Sequence, residues 1–263
     1  MELDLDDVAY SEYDLKRKIK IPKILDPMLA EDLGFHIGDG CMLLNVRSDN
    51  GRLRHYFNYT GNREKDNDYF QKRLIVRKME LYNLKIKIKK NSKNNSISAT
   101  FHSRAIFEFF CRLGVPYGKK KDIEVPQKIK HSTLEVKSAF LRGLAAADFC
   151  VSIKNRMNGM YPTIHFGTVS KKLFEGVCKL VEEFGVPFTK FENTKIDKKR
   201  GTISTSYCLD INGRKRLKMW LDRIGFSDKR NLDAVMKIYS GPGRDRTCEL
   251  LHVKQTSYHC PAY

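Results

Sequence analysis

The chain has 263 residues, with 49 Lys and Arg against 31 Asp and Glu, a formal net charge of +18. A 41% hydrophobic and 30% charged composition excludes a disordered chain. No apolar run reaches the length of a bilayer span. The charge points to a polyanionic partner, because each phosphate neutralised by Lys or Arg releases condensed counterions. A lysine-rich surface tuned for solubility is the competing account. The acidic start, MELDLDDVAY, lacks the basic-then-apolar layout of a signal peptide, so a cytoplasmic protein is expected. The seven cysteines form no CxxC pair and read as buried thiols.

After an N-terminal extension, residues 1–21, a first unit spans 22–118. Its opening segment, Leu29 to Cys41, reads as a helix ending at Asp39, with Ala30, Gly34 and Gly38 on one face. The next stretch alternates as a strand does. Leu53, His55, Phe57 and Tyr59 point one way; Arg52, Arg54, Tyr56, Asn58 and Thr60 point the other. A helix then runs to Tyr82-Asn83-Leu84, and Leu84, Ile86 and Ile88 alternate with Lys85, Lys87 and Lys89. Phe107, Phe110 and Leu113 mark a last amphipathic helix, stopped at Gly114. A basic linker, 119–132, contains Pro126.

The second unit, 133–240, repeats this order. Aligning Gly34 with Gly143 places Ala30 on Ala139, Gly38 on Ala147, Asp39 on Asp148 and Cys41 on Cys150. Phe149, Val151 and Ile153 alternate with Ser152, Lys154 and Arg156; Leu173, Val177, Leu180 and Phe184 form a helical stripe. The expected fold is α+β, a duplicated α-β-β-α-β-β-α unit whose helices cover one face of each sheet and leave the other basic.

Matching small-residue seams let two helix backbones approach closely. Glycine inside a helix costs about 1 kcal/mol relative to alanine, so its use in both copies implies that the seams pack on each other. Asp39 and Asp148 would then lie side by side at helix C-termini. Two carboxylates there repel each other and the helix dipole, unless a divalent cation sits beside them. The alternative is that each Asp simply ends its helix in solvent.

At this point the residues resemble a known family. Leu33-Gly34-Phe35-His36-Ile37-Gly38-Asp39-Gly40, preceded by Ile21-Pro22 and Leu29-Ala30, is similar to the first motif of single-chain LAGLIDADG homing endonucleases. Phe140-Leu141-Arg142-Gly143-Leu144-Ala145-Ala146-Ala147-Asp148-Phe149 resembles the second. The resemblance implies a pseudo-twofold monomer with two antiparallel, saddle-shaped sheets on double-stranded DNA. It implies that Asp39 and Asp148 are the catalytic, metal-binding acids for Mg2+ or Mn2+, and that both strands are cut to leave short 3′ overhangs. The helix interface would comprise Ala30, Gly34, Gly38, Ala139, Gly143 and Ala147.

Two departures stand out. Phe149 replaces the glycine found at Gly40, and a glycine there would ease the turn and the approach of a phosphate. The Lys or Gln that members place near the metals is not obvious; Asn62, Arg63, Lys154 and Lys171 are the candidates. For DNA contacts the open faces offer Arg47, Arg52, Arg54, Tyr56 and Asn58 in the first unit, and Lys154, Arg156, Thr163 and His165 in the second. Two other roles use the same scaffold: an intron RNA maturase, and a DNA-binding protein that has lost cleavage. Residues 241–263 match neither repeat and are expected to be disordered, as read-through into host sequence around an intron or intein-like insertion. Their Cys248, His252, His259 and Cys260 fit no standard zinc spacing.

Overall fold

A short helix, α1 (Glu12–Lys16), precedes the first repeat. A computed structural model describes residues 1–3, 8–46, 51, 53–156, 159–197 and 201–240. The N-terminal extension is built into the first unit. Leu3 and Ile19 join the core, and the buried Asp14 carboxylate accepts from the backbone N–H groups of Arg104 (3.0 Å) and Ala105 (3.3 Å). Those are unpaired donors at a helix start.

The first motif helix, α2 (Pro27–Asp39), has Asp26 as N-cap, accepting from Leu29 N at 2.8 Å, and proline at its first position. Strands β1 (Gly40–Val46) and β2 (Leu53–Asn62) follow. Helix α3 (Asn67–Tyr69) passes through a π turn, Phe70–Leu74, into α4 (Ile75–Tyr82). Asn83 ends α4 in the left-handed conformation, φ 52°. Strands β3 (Ile88–Asn91) and β4 (Ser96–His102) and helix α5 (Arg104–Arg112) close the unit. The lysine-alternating run becomes a strand only at Ile88.

The linker holds a 3-10 turn, Lys120–Asp122, and α6 (Gln127–Lys130). The second copy comprises α7 (Leu134–Asp148), β5 (Phe149–Arg156), β6 (Gly159–Thr168), α8 (Lys171–Glu183), β7 (Thr189–Asp197), β8 (Thr202–Asn212) and α9 (Arg214–Arg223). A further helix, α10 (Lys229–Tyr239), packs behind β5.

The strand orders are β1-β2-β4-β3 and β5-β6-β8-β7, antiparallel throughout, so the duplication read from the sequence holds in the topology. Period-two alternation sorts the faces. Met42, Phe57, Tyr59, Ile97 and Ala99 are buried under helices, as are Phe149, Val151, Ile164, Phe166, Leu209 and Ile211. The opposite faces stay open. Among the described residues, no helix is long and apolar enough to cross a membrane. The 241–263 tail, with its Cys and His residues, lies outside the described residues.

A candidate metal centre between the motif helices

Helices α2 and α7 pack at a distance only glycine permits. A Cβ at Gly34 would overlap the Phe140 carbonyl, and one at Gly143 would overlap the Glu31 carbonyl. A Cβ at Gly38 would meet the Ala147 methyl and lie 3.1 Å from Asp148 Oδ2. The seam Ala30, Gly34, Gly38 therefore faces Ala139, Gly143, Ala147, and the last residues of both helices come together.

Burial pushes the Asp39 carboxyl up to about 7, with further repulsion from Asp148 and Asp66; Lys120 and Arg230 oppose the shift. Burial raises Asp148 to about 6, again against Lys120 and Arg230. Two desolvated carboxylates that resist ionising together are the arrangement a divalent cation relieves. Among the described residues no group of three or more His, Cys, Asp or Glu could hold a metal. Asp39 and Asp148 offer two hard oxygen donors, and a cation held there would take water or phosphate oxygens to complete its shell. That fits Mg2+ or Mn2+ rather than zinc.

The cations acting on the acids were not among the sequence candidates. Lys120 Nζ donates to the carbonyls of His36 (3.2 Å), Ile37 (2.9 Å) and Gly38 (2.5 Å), capping the end of α2. Arg230 donates to the carbonyls of Ala146 (3.2 Å), Ala147 (3.4 Å) and Phe149 (3.3 Å), capping α7, and lies 3.9 Å from Asp66. Asn231 adds a bond to Ala145 O at 3.3 Å. Each cation answers the negative end of a helix that terminates in an acid. Lys120 follows Gly114, and Arg230 follows Gly225, beyond the last strand-covering helix of each unit.

The four sequence candidates are occupied elsewhere or exposed. Asn62 Oδ1 accepts from the N–H groups of Glu64 and Lys65 (3.0 Å each), a turn role. Lys154 is held by Asp210 at 2.5 Å. Arg63 and Lys171 are exposed, Lys171 as the first residue of α8. On the open faces Arg54, Tyr56 and Asn58 stand where expected. Thr163 does not: it is 1% exposed and its hydroxyl is spent on Asn212 Oδ1 at 2.8 Å, so the expected DNA contact is corrected. Arg47, Arg52 and the side chain of Arg156 lie outside the described residues.

Phe149 has a structural explanation, which corrects the turn argument. Gly40 and Phe149 share extended conformations, φ −76°, ψ 151° and φ −92°, ψ 149°, so neither turn demands glycine. Gly40 is small because a Cβ there would overlap the imidazole of His36, one turn back. His36 is fully buried, its Nδ1 2.8 Å from Tyr59 Oη. In the second copy the residue one turn back is Ala145, and Phe149 fills the space, 4.7 Å from Phe166 and 5.2 Å from Trp220 between ring centroids. The ring points into the core, away from the acids.

Comparisons with known proteins bear on the fold that holds these residues. The description "LAGLIDADG-like domain" fits residues 135–225. A structure of variants of the homing endonuclease I-DmoI superposes with a TM-score of 0.54 and 20% identity, covering 76% of this chain and 96% of that one. The I-LtrWI LAGLIDADG homing endonuclease bound to target DNA gives 0.51 at 12% identity, covering 80% and 88%. The chain has the LAGLIDADG fold. Curated relatives of this chain carry other names. A component of the A-type ATP synthase of Pyrococcus abyssi is 29% identical over 80% of this chain and 18% of its own length. The tRNA-splicing ligase RtcB of the same organism is 33% identical over 51% and 15%. The small replication factor C protein of Thermococcus kodakarensis is 26% identical over 86% and 23%. The chain thus spans about a fifth of the length of the curated relatives it matches.

Proposed function

We propose that the chain is a site-specific double-stranded DNA endonuclease that holds a divalent cation, Mg2+ or Mn2+, with Asp39 and Asp148. The observation that carries this is the meeting of two half-buried carboxylates, both pushed up by desolvation and Asp39 further by Asp148, at adjacent helix ends. When bound, the cation supplies an activated water and neutralises charge on the scissile phosphate. Asp39 and Asp148 hold it. Lys120 and Arg230 pin the two helix ends so that the carboxylates keep their spacing. Arg54, Tyr56, Asn58, Lys154 and His165 meet DNA along the sheets, and one chain supplies both half-sites. Related structures support the choice of ligands: I-DmoI is described in complex with DNA and Mn, with DNA and Ca, and with target DNA in the presence of Mg.

The relatives support a mobile setting. An ATP synthase component, an RNA ligase and a replication factor share no named activity, yet each carries a similar stretch making up 15% to 23% of its length. A segment inserted into unrelated host genes, intein or intron in kind, explains that pattern. The DNA-binding reading without cleavage rested on Phe149, whose inward packing removes the motive. No observation favours intron RNA as partner.

The decisive experiment is incubation with uninterrupted insertion-site DNA and Mg2+. A double-strand break at one position is expected. Tight binding without a cut sinks the endonuclease reading.

A further inference from the structure

An acid occupies the open face of the second sheet. Strands β1 to β4 carry no Asp or Glu at all. Asp210, central in β8, pairs across the sheet with His165 and Thr189, and is 6% exposed. Its carboxylate takes His165 Nδ1 at 2.7 Å and Lys154 Nζ at 2.5 Å. Burial pushes that carboxyl up, but the hydrogen bonds from Lys154 and His165 outweigh it and hold it below its usual range. Both partner side chains remain 39% exposed, so the outer ends of the cluster reach solvent. A Cβ at Gly167 would come 3.4 Å from His165 Nε2, so the ring's outer edge lies beside a position without a side chain. The corresponding row of the first sheet, Cys41, Asn58 and Thr100, has no charge.

A carboxylate where DNA is to dock repels phosphate, and among the described residues its side-chain partners are Lys154 and His165, the two groups it orients. We propose that Lys154 and His165, fixed by Asp210, read the major-groove edge of one purine in the second half-site. This rests on the endonuclease reading. Lys154 keeps two N–H donors after its bond to Asp210, and purine N7 is an acceptor in both adenine and guanine. His165 Nε2 meets the 6-substituent: an amino group donates to it when it is bare, and a carbonyl accepts when it carries a proton. Asp210 is a positioning residue in this scheme.

Selection from a pool of random duplex DNA in Ca2+, followed by sequencing, tests it. Wild type is expected to enrich a site with a purine preference at one position of one half. His165→Ala and Lys154→Ala should each reduce that preference at least about fivefold at the same position, leaving other positions intact. Asp210→Asn, which keeps an acceptor but loses the charge, should weaken the same position, with its melting temperature checking the fold. Unchanged preferences, losses at different positions, or uniform weakening at every position would overturn the proposal while leaving the endonuclease reading standing. Failure of wild type to enrich any sequence would overturn both.

Discussion

The two halves solve one packing problem with opposite chemistry. Counting from the helix stops Asn83 and Gly185, and from Gly34 and Gly143, three buried residues of the first half correspond to three of the second: Asp32 to Leu141, Lys78 to Leu180, Tyr82 to Phe184. In the first half, Lys78 Nζ binds Asp32 Oδ2 at 2.7 Å and Tyr82 Oη donates to the same oxygen at 2.9 Å, all essentially without solvent. Lys78 also sits 5.1 Å above the Tyr59 ring and 5.3 Å above that of Phe110. The second half fills the same place with hydrocarbon. The His36–Gly40 and Ala145–Phe149 exchange is a second case. The backbone symmetry survives because side chains change in compensating sets, so a departure judged one residue at a time misleads.

The largest expected effect lies where the halves are meant to be equal. Asp39→Asn and Asp148→Asn should each cut strand cleavage by about a thousandfold or more, a loss of over ~4 kcal/mol in transition-state stabilisation, while DNA affinity in a gel-shift assay changes little. Retained cleavage in either variant would refute the metal-site assignment. Next come the compensating sets. Gly40→Phe alone should destabilise the protein by about 3 kcal/mol or more, because the new side chain collides with His36. Adding His36→Ala should recover most of that in urea unfolding, and no recovery would deny that the pair is coupled.

Lys78→Leu alone should cost about 3–5 kcal/mol by leaving Asp32 charged and buried, whereas Asp32→Leu, Lys78→Leu and Tyr82→Phe together, which copy the second half, should be nearly neutral. The smallest effect concerns pH. Asp39 and Asp148 hold protons in the folded state up to about 7 and about 6, against 3.8 for a free carboxyl. The folded state therefore binds more protons, and their contribution to stability falls as pH rises from about 4 to about 7. Mg2+ competes with those protons. It should raise the melting temperature by roughly 2–4 °C at pH 8 and by almost nothing at pH 5, and an equal shift at both would speak against the two acids as ligands.

Much of this was legible from residues alone. The seam Ala30, Gly34, Gly38 has a physical meaning that survives without coordinates, since close packing is the main reason to keep glycines in a helix. The strand faces were legible because alternation is local, as at Phe57 and Tyr59 against Asn58. Lys120 and Arg230 were not, because their roles depend on chain that leaves one helix and returns to the end of another. Thr163 was misjudged because alternation tells which face a residue is on but not what its neighbours cover. How the N-terminal extension docks was not legible either, because Asp14 acts on Arg104 and Ala105, far along the chain.

The pairing of Glu31 with Arg142 across the helix seam, 3.7 Å apart, bears on ancestry. Leu33 takes the place of Arg142 in the first copy, and Phe140 that of Glu31 in the second. Two first halves would set each Glu31 against a leucine; two second halves would set each Arg142 against a phenylalanine. Glu31 also pairs with Arg77 in its own half, so Arg142 is its second partner, contributed across the seam. Expressed as separate chains, the halves should pair with each other in preference to themselves.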